Sequence, residues 1–555
     1  MKFNLILLAV STLFSCRIAP ETSSTSAENV LVVVKRDYDR PSRENVTIAV
    51  DWEELSGKLP RLKSQGFRLT DQHFGKTLSG RLVNTDDDPQ PDLLSVDYQF
   101  TSAEPQYTFR ISADPQAQQP EVQSGELKPD SRFGITIVED YATFIQHDTI
   151  TDWSQKIFES SLNFYPDPRQ FTIISPGQWT YEHGMFLNGG FELWQRTKNQ
   201  RYLDYIKSWV DLFLTPEGRI KDEAYDVAQY RLDDILPGRL CLFLYEQTGD
   251  ARYKTAADQL IDHLEHQPVT SEGGYWHKQV YPNQMWLDGI YMADIFSMQY
   301  GEMFNQPEWF DEAARQIQLI SMHTRDSVTG LMYHGWDESK NPVWADPVTG
   351  ASPAFWGRAI GWYFAAVIDC LDYLPEDHPS RQAIVAIFRD LAGSIAQYQD
   401  ADTMLWYQVI DKGDQPDNWI ETSSSAMFAY GFAKGVNKGL LDESYRKRAH
   451  EAFDALVRDY TWFDSKGNLY FDQTVKVGTL NLKVSKGDYE YYIGGERRIN
   501  DYKGLGALLY ASLALSFDPS TPSTPSTSSG TTFDKLRDRP SIGSGIPSIG
   551  RTAGR

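Results

Sequence analysis

Eight residues of this chain return about fifty positions later: Gln195-Arg-Thr-Lys-Asn-Gln-Arg-Tyr202 recurs as Glu246-Gln-Thr-Gly-Asp-Ala-Arg-Tyr253, and a weaker copy is Phe304-Asn-Gln-Pro-Glu-Trp-Phe310. Each copy sits between an amphipathic stretch that ends in aromatics and a new one that starts beside it, which marks the turn of a helical hairpin. A hairpin cannot bury its apolar face alone and must stack on its neighbours. The helical period sets in after Tyr141. It predicts a dozen helices, near 151–163, 183–197, 200–213, 233–248, 252–264, 287–301, 308–323, 355–374, 381–398, 423–437, 442–460 and 501–516. Six hairpins closed in a ring, an (α/α)6 toroid, bury every such face; an open solenoid is the alternative.

A chain of 555 residues exceeds what one hydrophobic core holds, so a second domain is expected. Residues 29–140 supply it. Short β-branched runs at 30–34, 46–50, 94–100, 106–112 and 133–138, separated by polar turns, read as a small β-sandwich-like domain. The acidic run Asp86-Asp87-Asp88 is a solvated turn, since no calcium-loop spacing accompanies it. Ahead of this domain, Lys2 and the apolar run from Leu5 to Phe14 form a signal peptide over 1–16, too short to span a membrane. Leu13-Phe14-Ser15-Cys16 resembles a bacterial lipobox that makes Cys16 a lipidated first residue on a polar tether, 17–28. That places the protein in the cell envelope, anchored to a membrane on its periplasmic side or at the cell surface. The catalytic region spans 141–517, and the Ser/Thr/Pro/Gly-rich tail 518–555 is too poor in apolar residues to order. A net charge of −23 argues against nucleic acid or an anionic bilayer surface as the main partner. Apart from Cys16, only Cys241 and Cys370 remain, which excludes a disulfide framework and reads as two core thiols.

Unusual polar and aromatic residues gather just before every second helix. The clusters are Trp179-Thr-Tyr-Glu-His183, Arg231-Leu-Asp-Asp234, Gln284-Met-Trp-Leu-Asp288, Phe355-Trp-Gly-Arg358 with Trp362, Trp419-Ile-Glu421, and 496–501. If alternate helices are the inner ones, all six converge at one mouth of the toroid. Aromatic faces with carboxylates and imidazoles suit a sugar, and the chain has 15 tryptophans. Asp288 opens an inner helix in an aromatic setting that disfavours its charge, while the helix N-terminus favours it. Asp233, at the corresponding place one hairpin earlier, is a candidate second carboxylate, and Asp234 is the expected helix cap of that pair. His277 and His334 lie in Gly-rich aromatic loops suited to a ligand. His263 and His266, three apart on an outer helix with no further ligand cluster, read as solvated surface.

At these clusters the chain resembles the unsaturated rhamnogalacturonyl hydrolases of glycoside hydrolase family 105 and, more distantly, the unsaturated glucuronyl hydrolases. The likeness spans the helical region and rests on Trp179-Thr-Tyr181, Leu232-Asp233, Ser271-Glu-Gly-Gly-Tyr-Trp-His277, Gln284-Met-Trp-Leu-Asp-Gly-Ile-Tyr-Met292, Tyr333-His-Gly-Trp-Asp337, Ser352-Pro-Ala-Phe-Trp-Gly-Arg358 with Gly361-Trp362, and Asp411-Lys-Gly-Asp414. Thr180, Glu182, His183 and Gly335 depart from the family pattern and bear on the leaving sugar. The resemblance implies Asp288 as general acid and base, Asp233 as its assistant, and Tyr181, His277, Trp286, His334, Arg358 and Trp362 as the lining of a uronate pocket. It implies hydration of a C4=C5 enol ether, with no metal, no other cofactor and no covalent intermediate. Arg358 is the cation expected to meet the uronate carboxylate, against the alternative of an ion pair with Asp337 or Glu338. A polysaccharide lyase or inverting glycosidase on the same toroid, and a non-catalytic sugar-binding lipoprotein, are the competing readings.

Overall fold

The computed structural model describes residues 29–36, 44–71, 77–86, 90–100, 106–114, 117–118, 120–124, 133–140, 150–171, 179–463, 467–481, 483 and 485–516. The signal peptide, Cys16, the tether, Asp87 and Asp88, and the tail lie outside these residues.

The N-terminal region is a sandwich of two sheets. One has the order β4 (Thr77–Leu78), β3 (Gly66–Asp71), β7 (Gln106–Asp114), β1 (Asn29–Arg36), β9 (Phe133–Asp140); the other runs β2 (Glu44–Asp51), β6 (Leu93–Phe100), β5 (Gly80–Asn84), β8 (Val122–Ser124). Alternation along β1 buries Val30, Val32 and Val34 against Ile48, Val50, Leu94 and Val96 of the other sheet. All five strands expected from the sequence are present. The structure adds β3, β4, β5, β8 and a short helix α1 (Trp52–Lys58), whose Asp51 caps the Glu54 N–H.

The second region holds twelve principal helices. Six are outer: α2 (Trp153–Phe164), α4 (Gln200–Asp211), α6 (Ala251–Glu265), α9 (Glu308–Thr324), α11 (Arg381–Gln397) and α13 (Glu443–Tyr460). Six are inner: α3 (Tyr181–Thr197), α5 (Gly238–Thr248), α8 (Ile295–Phe304) with its lead-in α7 (Leu287–Gly289), α10 (Gly357–Tyr373), α12 (Thr422–Asn437) and α15 (Tyr502–Leu515). Each inner helix packs on the next, from α3 to α5, α8, α10, α12 and α15, and α15 returns to α3. The ring is closed, so the toroid and not the open solenoid is the architecture. The inner helices are the more apolar, as a helix covered on all sides must be: α10 buries fifteen consecutive residues from Gly357 to Leu371. Cys241 and Cys370 are both buried core thiols.

The repeated turn has a physical basis. Lys198 and Gly249 end α3 and α5 in the left-handed conformation, and Asn199 and Asp250 cap the next helices at Arg201 and Arg252. The tyrosine of each repeat then ties successive outer helices together: Tyr202 donates to Glu159 at 2.7 Å and Tyr253 to Asp211 at 2.9 Å. Two expectations fail on this scaffold. His263 is buried at 1% exposure, not solvated, because the loop bearing Tyr225 folds over α6. Asp234 caps no helix; Arg231 turns back and binds its carboxylate at 2.9 Å. Among the described residues no helix is long and apolar enough to cross a membrane.

Candidate active site

A short ladder of backbone hydrogen bonds crosses the mouth of the ring and sets the functional side chains in register. Leu232 N–H donates to His277 O, His277 N–H to Gln284 O, and Leu287 N–H to His334 O. Between the last two bonds, β10 (Gln284–Trp286) pairs antiparallel with β11 (Gly335–Asp337), Trp286 opposite Gly335. A Cβ at Gly335 would stand 2.9 Å from Met285 O and 3.0 Å from the Trp286 ring, so this strand approach admits only glycine. The ladder brings Asp233, His277, Asp288 and His334 together from three separate hairpins. Below Asp288 the inner helix passes through a π turn over Ile290–Asp294 before α8, a local widening common at functional sites.

Asp233 is held by Lys278, whose Nζ lies 2.5 Å from Oδ2, and by His277, whose Nε2 lies 3.4 Å from Oδ1. Burial pushes its carboxyl up, but the charge and hydrogen bond of Lys278, with His277 and Arg231 adding to them, outweigh burial and hold it below the ordinary carboxylate range. His277 is buried, and desolvation lowers it to about 4 despite Asp233, so it works as a neutral imidazole. Among the described residues its Nδ1 has no partner. The ring stacks on Trp286 at 4.4 Å, and Tyr281 covers the other side of that indole at 4.8 Å.

Asp288 is 9% exposed, with its buried Oδ2 facing His334 Nε2 at 3.2 Å. The contact is not aligned as a hydrogen bond, and among the described residues neither atom has another partner. His334 is wholly buried between Trp286 (5.2 Å) and Trp356 (4.8 Å), and its Nδ1 meets the Tyr492 hydroxyl at 2.7 Å. A buried carboxyl and a buried imidazole that face each other without a completed bond are a reaction-ready arrangement, since stable cores satisfy such atoms.

Arg358, on the first turn of α10, is 1% exposed and lies over Trp356 at 5.3 Å. Its Nη1 donates to Val475 O and to Ser423 Oγ at 3.4 Å, while Nε is buried without a partner. It pairs with neither Asp337, which binds the Ser339 and Lys340 N–H groups, nor Glu338, which binds Ser271. Trp362, one turn down the same helix, is 1% exposed and packs between Tyr181 (6.1 Å) and Tyr291 (4.6 Å), forming the floor beneath the mouth. Tyr181 opens α3 and carries Lys503 over its ring at 5.9 Å. All eight residues singled out in the helical region therefore lie at one end of the inner ring.

Other members of the six clusters serve packing. Trp179 donates its N–H to Asp234 O and stacks on Trp209; His183 is buried among Phe171, Trp209 and Tyr502; Glu421 caps α12. Sequence reasoning missed three participants. Lys278 directly follows the motif that ends at His277, Gln408 is buried beneath Trp356, and Tyr492 lies on the short helix α14 (Tyr489–Ile493). An aromatic run, Tyr489-Glu-Tyr-Tyr492, was the available signal for the last.

A closed six-hairpin ring with carboxylates, imidazoles and indoles at one mouth is the framework of a toroidal glycoside hydrolase. The comparisons agree. Residues 153–516 match the profile of Glycosyl Hydrolase Family 88, and the structure resembles a family 105 glycoside hydrolase from C. acetobutylicum with a TM-score of 0.63 and 33% identity, over 66% of this chain and 99% of that one. The chain belongs to the family 88/105 glycoside hydrolases. Among curated proteins, Protein Atu3128 of Agrobacterium fabrum is 36% identical over 223 residues, 39% of this chain and 94% of its own length. The unsaturated rhamnogalacturonyl hydrolase YesR of Bacillus subtilis is 28% identical over 289 residues, 51% of this chain and 77% of that protein.

Proposed function

We propose that this hydrolase removes the 4,5-unsaturated uronic acid from the non-reducing end of oligosaccharides left by a polysaccharide lyase, of rhamnogalacturonan or ulvan type. The observation that carries the reading is Asp288, a buried carboxyl 3.2 Å from His334 at the same mouth as Asp233, which neutral His277 approaches at 3.4 Å. Similarity to the rhamnogalacturonyl hydrolase YesR supports the substrate class.

In this mechanism the Asp288 carboxyl gives its proton to C4 of the enol ether, and positive charge develops at C5. Water adds to C5 and returns a proton to the Asp288 carboxylate, which restores the acid. The resulting hemiketal collapses, the bond to the neighbouring sugar breaks, and the ring opens. Asp233, kept ionised by Lys278, attracts the developing positive charge. Trp286, stacked between His277 and Tyr281, and Trp362, packed between Tyr181 and Tyr291, hold the wall and floor of the sugar pocket in place. Tyr181 and His277 reach the sugar hydroxyls, His334 backs Asp288, and Arg358 attracts the uronate carboxylate. This differs from ordinary glycosidases, in which two carboxylates act at the anomeric carbon.

The test is to incubate the protein with lyase-generated oligosaccharides from pectin and from ulvan and to follow the ultraviolet absorbance of the C=C bond. Loss of absorbance is expected with one of them. Persistent absorbance with both defeats the reading, and a rise on intact polysaccharide would identify a lyase instead.

We also infer that Cys16 carries a lipid that tethers the enzyme to a membrane of the cell envelope. The charged start and apolar run before it support this. Mass spectrometry of the mature N-terminus should find a diacylglyceryl cysteine, and an unmodified terminus elsewhere would exclude it.

A further inference from the structure

Three contacts of Tyr492, braced by a fourth between two of its partners, leave it no freedom. Its ring stacks on Trp356 at 5.5 Å and 13°, its backbone carbonyl accepts from Gln408 Nε2 at 3.0 Å, Gln408 Oε1 accepts from Trp356 Nε1 at 3.2 Å, and its hydroxyl meets His334 Nδ1 at 2.7 Å. Gln408 is itself fully buried. Among the described residues no second hydrogen-bond partner stands at the Tyr492 hydroxyl. A buried O–H must spend its hydrogen on the acceptor it has. Burial also raises the phenol far above neutrality, so that hydrogen is always present.

We propose that Tyr492 is a positioning residue of the reaction, acting through His334: by donating to Nδ1 it fixes the tautomer with hydrogen on Nε2, directed at Asp288 Oδ2. The inference rests on the role proposed above for Asp288. Its consequence is a division of labour within one carboxyl group. Oδ2 then faces the Nε2 hydrogen of His334, which disfavours a second hydrogen there, so the transferable proton resides on Oδ1, the oxygen that carries the residue's remaining exposure. The acid then presents one oxygen and one direction to C4, and the same oxygen retakes the proton from water. With the opposite tautomer the Nε2 lone pair would draw the acid hydrogen to Oδ2, away from the mouth.

The test is Tyr492→Phe, which keeps the stack on Trp356 and removes only the O–H. Turnover should fall about tenfold with KM within about twofold, since binding surfaces are untouched. The basic limb of the kcat profile should move up by about half a pH unit or more, because the anion at the mouth no longer faces a fixed Nε2 hydrogen. In a His334→Gln background the same change should add less than about twofold. Imidazole 15N shifts, with His334 assigned from its absence in His334→Gln, should show hydrogen on Nε2 in the parent protein and its redistribution in Tyr492→Phe. Hydrogen on Nδ1 in the parent, an unmoved pH limb, or a loss confined to KM would overturn the proposal. The spectrum needs no substrate, so a parent protein that leaves unsaturated sugars untouched defeats the reaction assignment while the tautomer is still decided.

Discussion

Two tyrosine–histidine pairs in this molecule begin alike and end differently. On outer helix α6, the Tyr225 hydroxyl meets His263 Nδ1 at 2.6 Å, and His263 Nε2 closes on Gln267 Oε1 at 2.9 Å. At the mouth, Tyr492 meets His334 Nδ1 at 2.7 Å, and Nε2 faces Asp288 Oδ2 at 3.2 Å without a completed bond. The third group decides what each pair is for. An amide is a fixed dipole and locks a loop onto a helix; a carboxyl changes charge and stays available. The opposite ends of the inner helices repeat the lesson, since there Lys434 binds Asp369 at 2.5 Å and Asp372 at 2.7 Å, and Lys438 binds Asp372 at 2.5 Å. The charges of this far-end network are paired, whereas the Asp288–His334 contact at the mouth is left open.

Breaking the open pair should give the largest effect. Asp288→Asn is expected to lower turnover by about a thousandfold or more with the thermal midpoint and oligosaccharide affinity retained, read by steady-state kinetics and calorimetry. Unchanged turnover would remove Asp288 from its role. Next, Lys434→Met leaves Asp369 without its cation and should cost about 3 kcal/mol in urea unfolding, with turnover per folded molecule unchanged. A neutral result would mean the far-end network is dispensable.

The closed pair can be sharpened by pH. Burial lowers His263 from an ordinary 6.5 to about 4, so the unfolded chain takes up a proton before the folded one does. Its contribution to stability is whole above about pH 6.5 and is lost as pH falls toward about 4. In His263→Gln the loss of unfolding free energy between about pH 7 and 5 should shrink by about 1–2 kcal/mol. An identical slope would show that this histidine does not titrate between the two states. Smallest is Tyr225→Phe, about 1 kcal/mol by denaturation with activity intact; a loss of turnover there would mean that the two pairs communicate.

The comparison also shows where the sequence is readable. Helical period located all twelve helices of the ring within a few residues, because each must bury one face regardless of its partners. The phase of the repeat then pointed to Asp233 and Asp288, since residues ahead of alternate helices share one mouth. His263 was misread because spacing on α6 says which side of a helix it occupies and nothing about a loop that returns to cover that side. Lys278 was missed because a lysine in a polar loop has no local mark of an ion pair with a residue 45 positions earlier, as 278 − 233 gives. Tyr492 reaches His334 across 158 positions from a five-residue helix too short for any period. Side-chain chemistry assembled by long-range closure leaves little trace in local pattern.

That closure has a consequence for how the enzyme comes into being. The last inner helix, α15, is what joins α12 to α3, and the segment just before it brings Tyr492 to His334. A ribosome that has released roughly nine-tenths of the toroid has made a horseshoe with a raw edge on either side and without the Tyr492 hydroxyl at His334. Competence arrives late and all at once, with the final turns of the chain, and no shorter fragment should carry a fraction of it.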